Sequence, residues 1–128
     1  MSRSRFLIPV IAAAVALPAL AGAARIPHLR LKASFPGKDT TLTTSPDAVR
    51  LWLSEPADLP ATKISVVDAK GAAVGVAKLT RGAKADDPVV GTFTTPPGDG
   101  KYTVTWKAMS KDGHVVDGVF AFSVHKGH

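Results

Sequence analysis

Residues 101–124 read Lys101-Tyr-Thr-Val-Thr-Trp106-Lys-Ala-Met-Ser110-Lys-Asp-Gly-His114-Val-Val-Asp-Gly-Val-Phe120-Ala-Phe-Ser-Val124. Apolar and polar residues alternate on both sides of a Lys111-Asp112-Gly113 turn signal. Tyr102, Val104 and Trp106 share one face of the first arm, and Phe120, Phe122 and Val124 share one face of the second. A period of two with β-branched and aromatic residues, broken by Asp-Gly, predicts two long antiparallel strands, Lys101 to Met109 and Val115 to Val124.

The same period extends upstream. Leu29, Leu31 and Ala33 alternate with Arg30 and Lys32, while Val49, Leu51 and Leu53 alternate with Arg50 and Trp52. Lys63 to Asp68, Ala73 to Leu79 and Val89 to Thr95 complete the set of predicted strands. Turn chemistry separates them at Phe35-Pro36-Gly37-Lys38, Ser45-Pro46-Asp47, Ala69-Lys70-Gly71 and Pro97-Gly98-Asp99-Gly100. Ten prolines and eleven glycines disfavour long helices. The expectation is all-β: an antiparallel β-sandwich of about seven strands, with Trp52, Trp106, Phe120 and Phe122 as its larger core residues. Residues Lys126 to His128 are expected to fray.

The first residues have a different character. Arg3 and Arg5 precede an uncharged apolar run from Phe6 to Leu20, and small-x-small sites follow at Ala19-Leu20-Ala21 and Ala21-Gly22-Ala23. That is the pattern of a secretory signal peptide, so residues 1–24 are expected to be removed and 25–128 to form one exported domain. The run is short and interrupted by Pro9 and Pro18, which argues against a retained membrane anchor. The chain has 128 residues, room for one domain and too few for two ordinary ones.

Charge and composition exclude several functions. The whole chain carries a formal charge of +6, and +4 remains without the leader. The basic residues stand singly among acids and apolar positions, so no concentrated face for nucleic acid is expected. Cysteine is absent, which excludes disulfide scaffolds, thiolate metal sites and thiol nucleophiles.

Metal-competent side chains gather at Ser110-Lys111-Asp112-Gly113-His114. In an extended segment Asp112 and His114 leave the same face and can converge on one ion, and a carboxylate with an imidazole suits Cu(II), Zn(II) or Ni(II), of which Cu(II) binds such sites most tightly. The same residues also read as an ordinary surface hairpin turn. Of the other histidines, His28 stands at the start of the first predicted strand, and His125 and His128 form a tail pair.

At this point the chain resembles the CopC-type copper-resistance domain. The likeness begins with His28-x-x-Leu31-x-x-Ser34-x-Pro36 and continues through Val49-Arg50-Leu51-Trp52-Leu53-Ser54-Glu55-Pro56 and Val66-x-Asp68-x-x-Gly71. It is most specific in Gly100-x-Tyr102-x-Val104-x-Trp106-x-x-x-Ser110-x-Asp112-Gly113-His114-x-Val116-x-Gly118-x-Phe120-x-Phe122-x-Val124. The resemblance implies an immunoglobulin-like or cupredoxin-like Greek key in the periplasm, binding one Cu(II) per chain. It implies His28, Asp112 and His114 as the metal residues, with the family's N-terminal histidine supplying amine and imidazole together. It also implies a role in copper sequestration or delivery, without catalysis, beside a CopD-type membrane copper transporter. A soluble monomer is expected.

Two departures matter. Ala24-Arg25-Ile26-Pro27 precede His28, so cleavage at or before Ala24 leaves His28 internal and without a free amine. After the leader Met109 is the sole methionine, which argues against a thioether Cu(I) site. The alternatives are a metal-free envelope or adhesion sandwich and, more remotely, a copper monooxygenase. Ser110, Asp112 and His114 crowd one turn and do not form a hydrolytic triad.

Overall fold

A computed structural model describes residues 29–127. The leader, His28 and His128 lie outside the described residues. Nine strands form, in chain order β1 (Leu31–Phe35), β2 (Thr40–Leu42), β3 (Ala48–Leu53), β4 (Lys63–Val67), β5 (Ala73–Val74), β6 (Thr80–Arg81), β7 (Val89–Thr92), β8 (Gly100–Met109) and β9 (Val115–Val124). A single 3-10 turn at Leu59–Ala61 is the only helical element among the described residues. Four strands make one sheet in the order β1-β3-β7-β6, and five make the other, β2-β9-β8-β4-β5.

Period-two patterning decides which side chains meet between the sheets. Val49, Leu51 and Leu53 of β3 and Val89 of β7 face Ile64, Val66, Tyr102, Val104, Trp106, Phe120, Phe122 and Val124 of the larger sheet in one continuous core. Tyr102 and Phe122 are register partners, and their rings stack 5.3 Å apart. Trp106 stands opposite Gly118, where an added Cβ would lie 2.7 Å from the indole Nε1. The glycine makes room for the ring.

The sandwich of about seven strands is borne out, with differences of detail. The segment expected as one strand from Ala73 to Leu79 changes sheets: Val74 pairs with Val66 in the five-stranded sheet, whereas Val76 bridges to Phe93 on the opposite side. The first strand begins at Leu31, and its register slips between Leu31 and Ala33 opposite β3. β2 pairs parallel to β9 and is too short, at three residues, to show a period in sequence.

Trp52 needs correction as a core residue. It shares the outer face of β3 with Arg50, because the inward positions are held by Val49, Leu51 and Leu53. The strand's own alternation overrides the size of the side chain. Beyond β9, His125 and Lys126 are anchored and do not fray at the backbone: the His125 N–H donates to the Leu42 carbonyl at 2.8 Å and the Lys126 N–H to Asp99 Oδ1 at 3.0 Å.

Candidate metal centre

The β8–β9 hairpin closes through Ser110 and His114. The Ser110 N–H donates to the His114 carbonyl at 2.8 Å, and the Gly113 N–H donates to the Ser110 carbonyl at 3.0 Å. Gly113 has φ of 89°, a left-handed conformation that glycine adopts without steric cost. The tight reversal brings the side chains of residues 110, 112 and 114 together.

Asp112 Oδ2 lies 3.2 Å from His114 Nδ1, and the Ser110 hydroxyl donates to Asp112 Oδ1. The His114 N–H also reaches Ser110 Oγ at 3.2 Å. Ser110 is buried at 4% exposure, whereas the Asp112 and His114 side chains are 58% and 62% exposed. A buried hydroxyl therefore anchors an accessible carboxylate–imidazole pair. The hydrogen bond from Ser110 is the main cause that holds the Asp112 carboxyl below its ordinary pKa, helped by the His114 N–H and the nearby imidazole against a desolvation penalty. Replacing Ser110 by alanine should raise that pKa toward the usual carboxylate value, as read by carbon NMR titration of the Asp112 carboxyl. An unmoved midpoint would show that the hydroxyl does not set the charge.

The start of the described chain meets the same rim. The Arg30 N–H donates to Ser54 Oγ at 2.9 Å and the Ser54 N–H to the Arg30 carbonyl at 2.8 Å. Four residues on, the Asp58 N–H donates to the Met109 carbonyl at 2.8 Å, one residue before Ser110. Four residues of chain reach at most about 14 Å, so Arg30 and the hairpin turn occupy one end of the sandwich. A cleft of about 380 Å³ opens beside the turn, lined by Asp58, Arg81, Met109, Ser110 and Lys111 among others, and Arg81 donates to the Ala57 carbonyl across it.

The structure thus brings Asp112 and His114 together, and the third expected metal residue, His28, lies outside the described residues. Among the described residues no group of three or more His, Cys, Asp or Glu side chains converges. The donors are imidazole nitrogen and carboxylate oxygen, a set that suits Cu(II), Zn(II) or Ni(II) in preference to softer ions. Met109 ends β8, remote in kind from a thioether cluster. The residue that sequence reasoning passed over as an active participant is Ser110. Its hydroxyl orients the carboxylate, and its sequence signals were its place two residues before Asp112 and its presence in the run shared with the CopC-type domain.

Comparison with known proteins adds to this geometry. A family model described as the CopC domain matches residues 31–125, a span that includes Asp112 and His114. Copper transport protein CutJ of Bacillus subtilis (strain 168) is 30% identical over 128 residues, covering 98% of this chain and 23% of CutJ. The chain therefore spans less than a quarter of that relative's length. Protein YobA of Escherichia coli (strain K12) is 25% identical over 97 residues, 76% of this chain and 78% of YobA. Among solved structures, CopC from Methylosinus trichosporium OB3b matches with a TM-score of 0.69 at 25% identity, covering 76% of this chain and 93% of that one. PcoC, a methionine-rich copper resistance protein from Escherichia coli, matches with a TM-score of 0.68 at 27% identity, covering 77% of this chain and all of its own.

Proposed function

The chain belongs to the CopC domain family, and from that premise we propose that it is an exported Cu(II)-binding protein that sequesters or delivers the ion in copper resistance and homeostasis. The observation that carries the reading is the carboxylate–imidazole pair of Asp112 and His114, held by a buried hydroxyl yet open to solvent. Exposure suits a cargo that has to leave again. We assign one Cu(II) per chain, with His114 as the principal ligand.

The geometry of the pair supports a division of labour. His114 Nδ1 faces Asp112 Oδ2 at 3.2 Å, so we assign Nε2 as the nitrogen that meets the ion, with Asp112 orienting the ring and offsetting the positive charge. His28 immediately precedes Leu29, and Arg30 joins the rim that carries the turn, which supports the His28 imidazole as a second nitrogen donor. Cleavage after the leader at residues 1–24 would leave 25–128 as the exported periplasmic domain. Within the family's logic its recipient is a membrane copper transporter of the CopD type, met by a monomeric donor. No helix of the described residues is long and apolar enough to cross a membrane. Catalysis is not part of the proposal, because the encoded chain places Ala24 to Pro27 ahead of the histidine that an oxygen-activating amine–imidazole chelate would require.

The decisive experiment is a Cu(II) competition titration on protein exported and processed by its own host, with His125 and His128 replaced by alanine. One tight equivalent is expected. Weak, non-stoichiometric uptake would overturn the copper reading and leave a metal-free envelope sandwich, a reading that gains ground if the residues encoded ahead of His28 deprive it of a free amine.

A further inference from the structure

Among the described residues, β9 is covered along only half of its outer edge. Its inner edge pairs with β8 over the full length, from Val115 opposite Met109 to Val124 opposite Gly100. On the outer edge β2 pairs with Phe122 to Val124, and the Asp39 N–H reaches the Ala121 carbonyl at 2.7 Å. That last bond shows that Ala121 directs its backbone outward. Alternation along an antiparallel strand then directs the N–H and C=O groups of Val115, Asp117 and Val119 outward too, where no described strand meets them. The side chains of Val115 and Val119 are 51% and 63% exposed, the two most exposed large apolar side chains of the described molecule. The open stretch is about 14 Å long and begins at the residue after His114.

We infer that this edge receives an extended strand of the copper-accepting protein, which adds to the five-stranded sheet beside the metal turn and carries a cationic side chain opposite Asp117. Asp117 is the one charged residue on the open stretch, standing between Val115 and Val119 on the outer face. It disfavours the simplest alternative, two-fold pairing of two copies about its own position, since that register sets carboxylate against carboxylate. A partner lysine or arginine in the same place completes an alternating stripe with Lys107, the register partner of Asp117 on β8. Main-chain bonds supply affinity in this mode of recognition, and the flanking side chains supply selectivity. A strand seated there ends next to His114, which places recipient ligands where the ion is held. The handover role rests on the copper reading above, whereas strand addition at this edge does not.

The test uses metal-free, nitrogen-15-labelled protein and two capped pentapeptides, TVKVT and TVEVT. Without peptide, the amides of Val115, Asp117 and Val119 should exchange with solvent rapidly, and those of Val116, Gly118 and Phe120 slowly. Saturating TVKVT should slow the three outward amides by about 10-fold and shift their resonances, with TVEVT much weaker. The Asp117→Lys variant should reverse the peptide preference. The inference is overturned if the outward amides are already protected in the free protein, whether by a second copy (protection that fades on dilution) or by the chain's own N-terminal segment (protection that does not). It also falls if neither peptide acts, or if the preference ignores the charge at position 117. Because no copper is present, these outcomes are independent of whether the metal reading stands.

Discussion

His114→Ala should weaken Cu(II) binding by more than about 100-fold, because it deletes the proposed principal ligand, and partners that merely support such a ligand typically account for 10- to 100-fold. Asp112→Asn should cost about 10-fold to 100-fold, since the amide still fills the place beside Nδ1 but no longer offsets the ion's charge. Competition titration with a chromophoric chelator measures both. The expected order separates an orienting carboxylate from a direct ligand: a loss at Asp112 equal to that at His114 would show that both side chains bind the metal. The His114 side chain is 62% exposed, so the alanine variant should unfold at the same denaturant concentration as the parent. Full retention of affinity in that variant would remove the hairpin turn from the site.

Phe122→Ala should destabilise the fold by about 3–5 kcal/mol, the range for removing a large aromatic side chain from a core that cannot close over the gap. Phe122 is 1% exposed and stacks on Tyr102, and it is one of the residues of β9 that pair with β2. Urea unfolding followed by far-ultraviolet circular dichroism gives the value. A loss below about 1 kcal/mol would mean that the two sheets collapse into the vacated space, and that the core is less tightly packed than its geometry indicates. The contrast with His114→Ala is the useful one: one substitution should remove copper and spare the fold, and the other should weaken the fold without touching a donor.

Much of the site was legible before any coordinates. Asp112 and His114 share parity, so extended backbone alone sends them to one side, and Gly113 between them marks the turn. What parity cannot show is that a serine hydroxyl, buried at the hairpin's closure, holds the carboxylate in place. That depends on Ser110 and His114 being paired across the turn, a relation between strands. The meeting of the N-terminal strand with the turn was open to any sandwich, whose distant strand ends can share a rim, and was specified by family likeness. In the molecule it runs through Ser54 and Asp58, two backbone junctions that no local pattern announces.

The strands themselves were written into the chain. β3 from Val49 to Leu53, β8 from Lys101 to Met109 and β9 along its whole length alternate between more and less buried residues, and a side chain on a pleated strand has only two directions to take. The outward placement of Trp52 was fixed by that same alternation, against the expectation raised by its size. Tertiary structure decided the rest. It moved the segment after Val74 from one sheet to the other and laid β2 parallel to β9. By ending β2's pairing at Phe122, it left the edge beside His114 unpaired by any described strand. Each of these depends on which strand a segment meets, and partners distant in sequence are chosen by the packing of the whole sandwich, because short strands of two or three residues carry too little side-chain surface to choose for themselves.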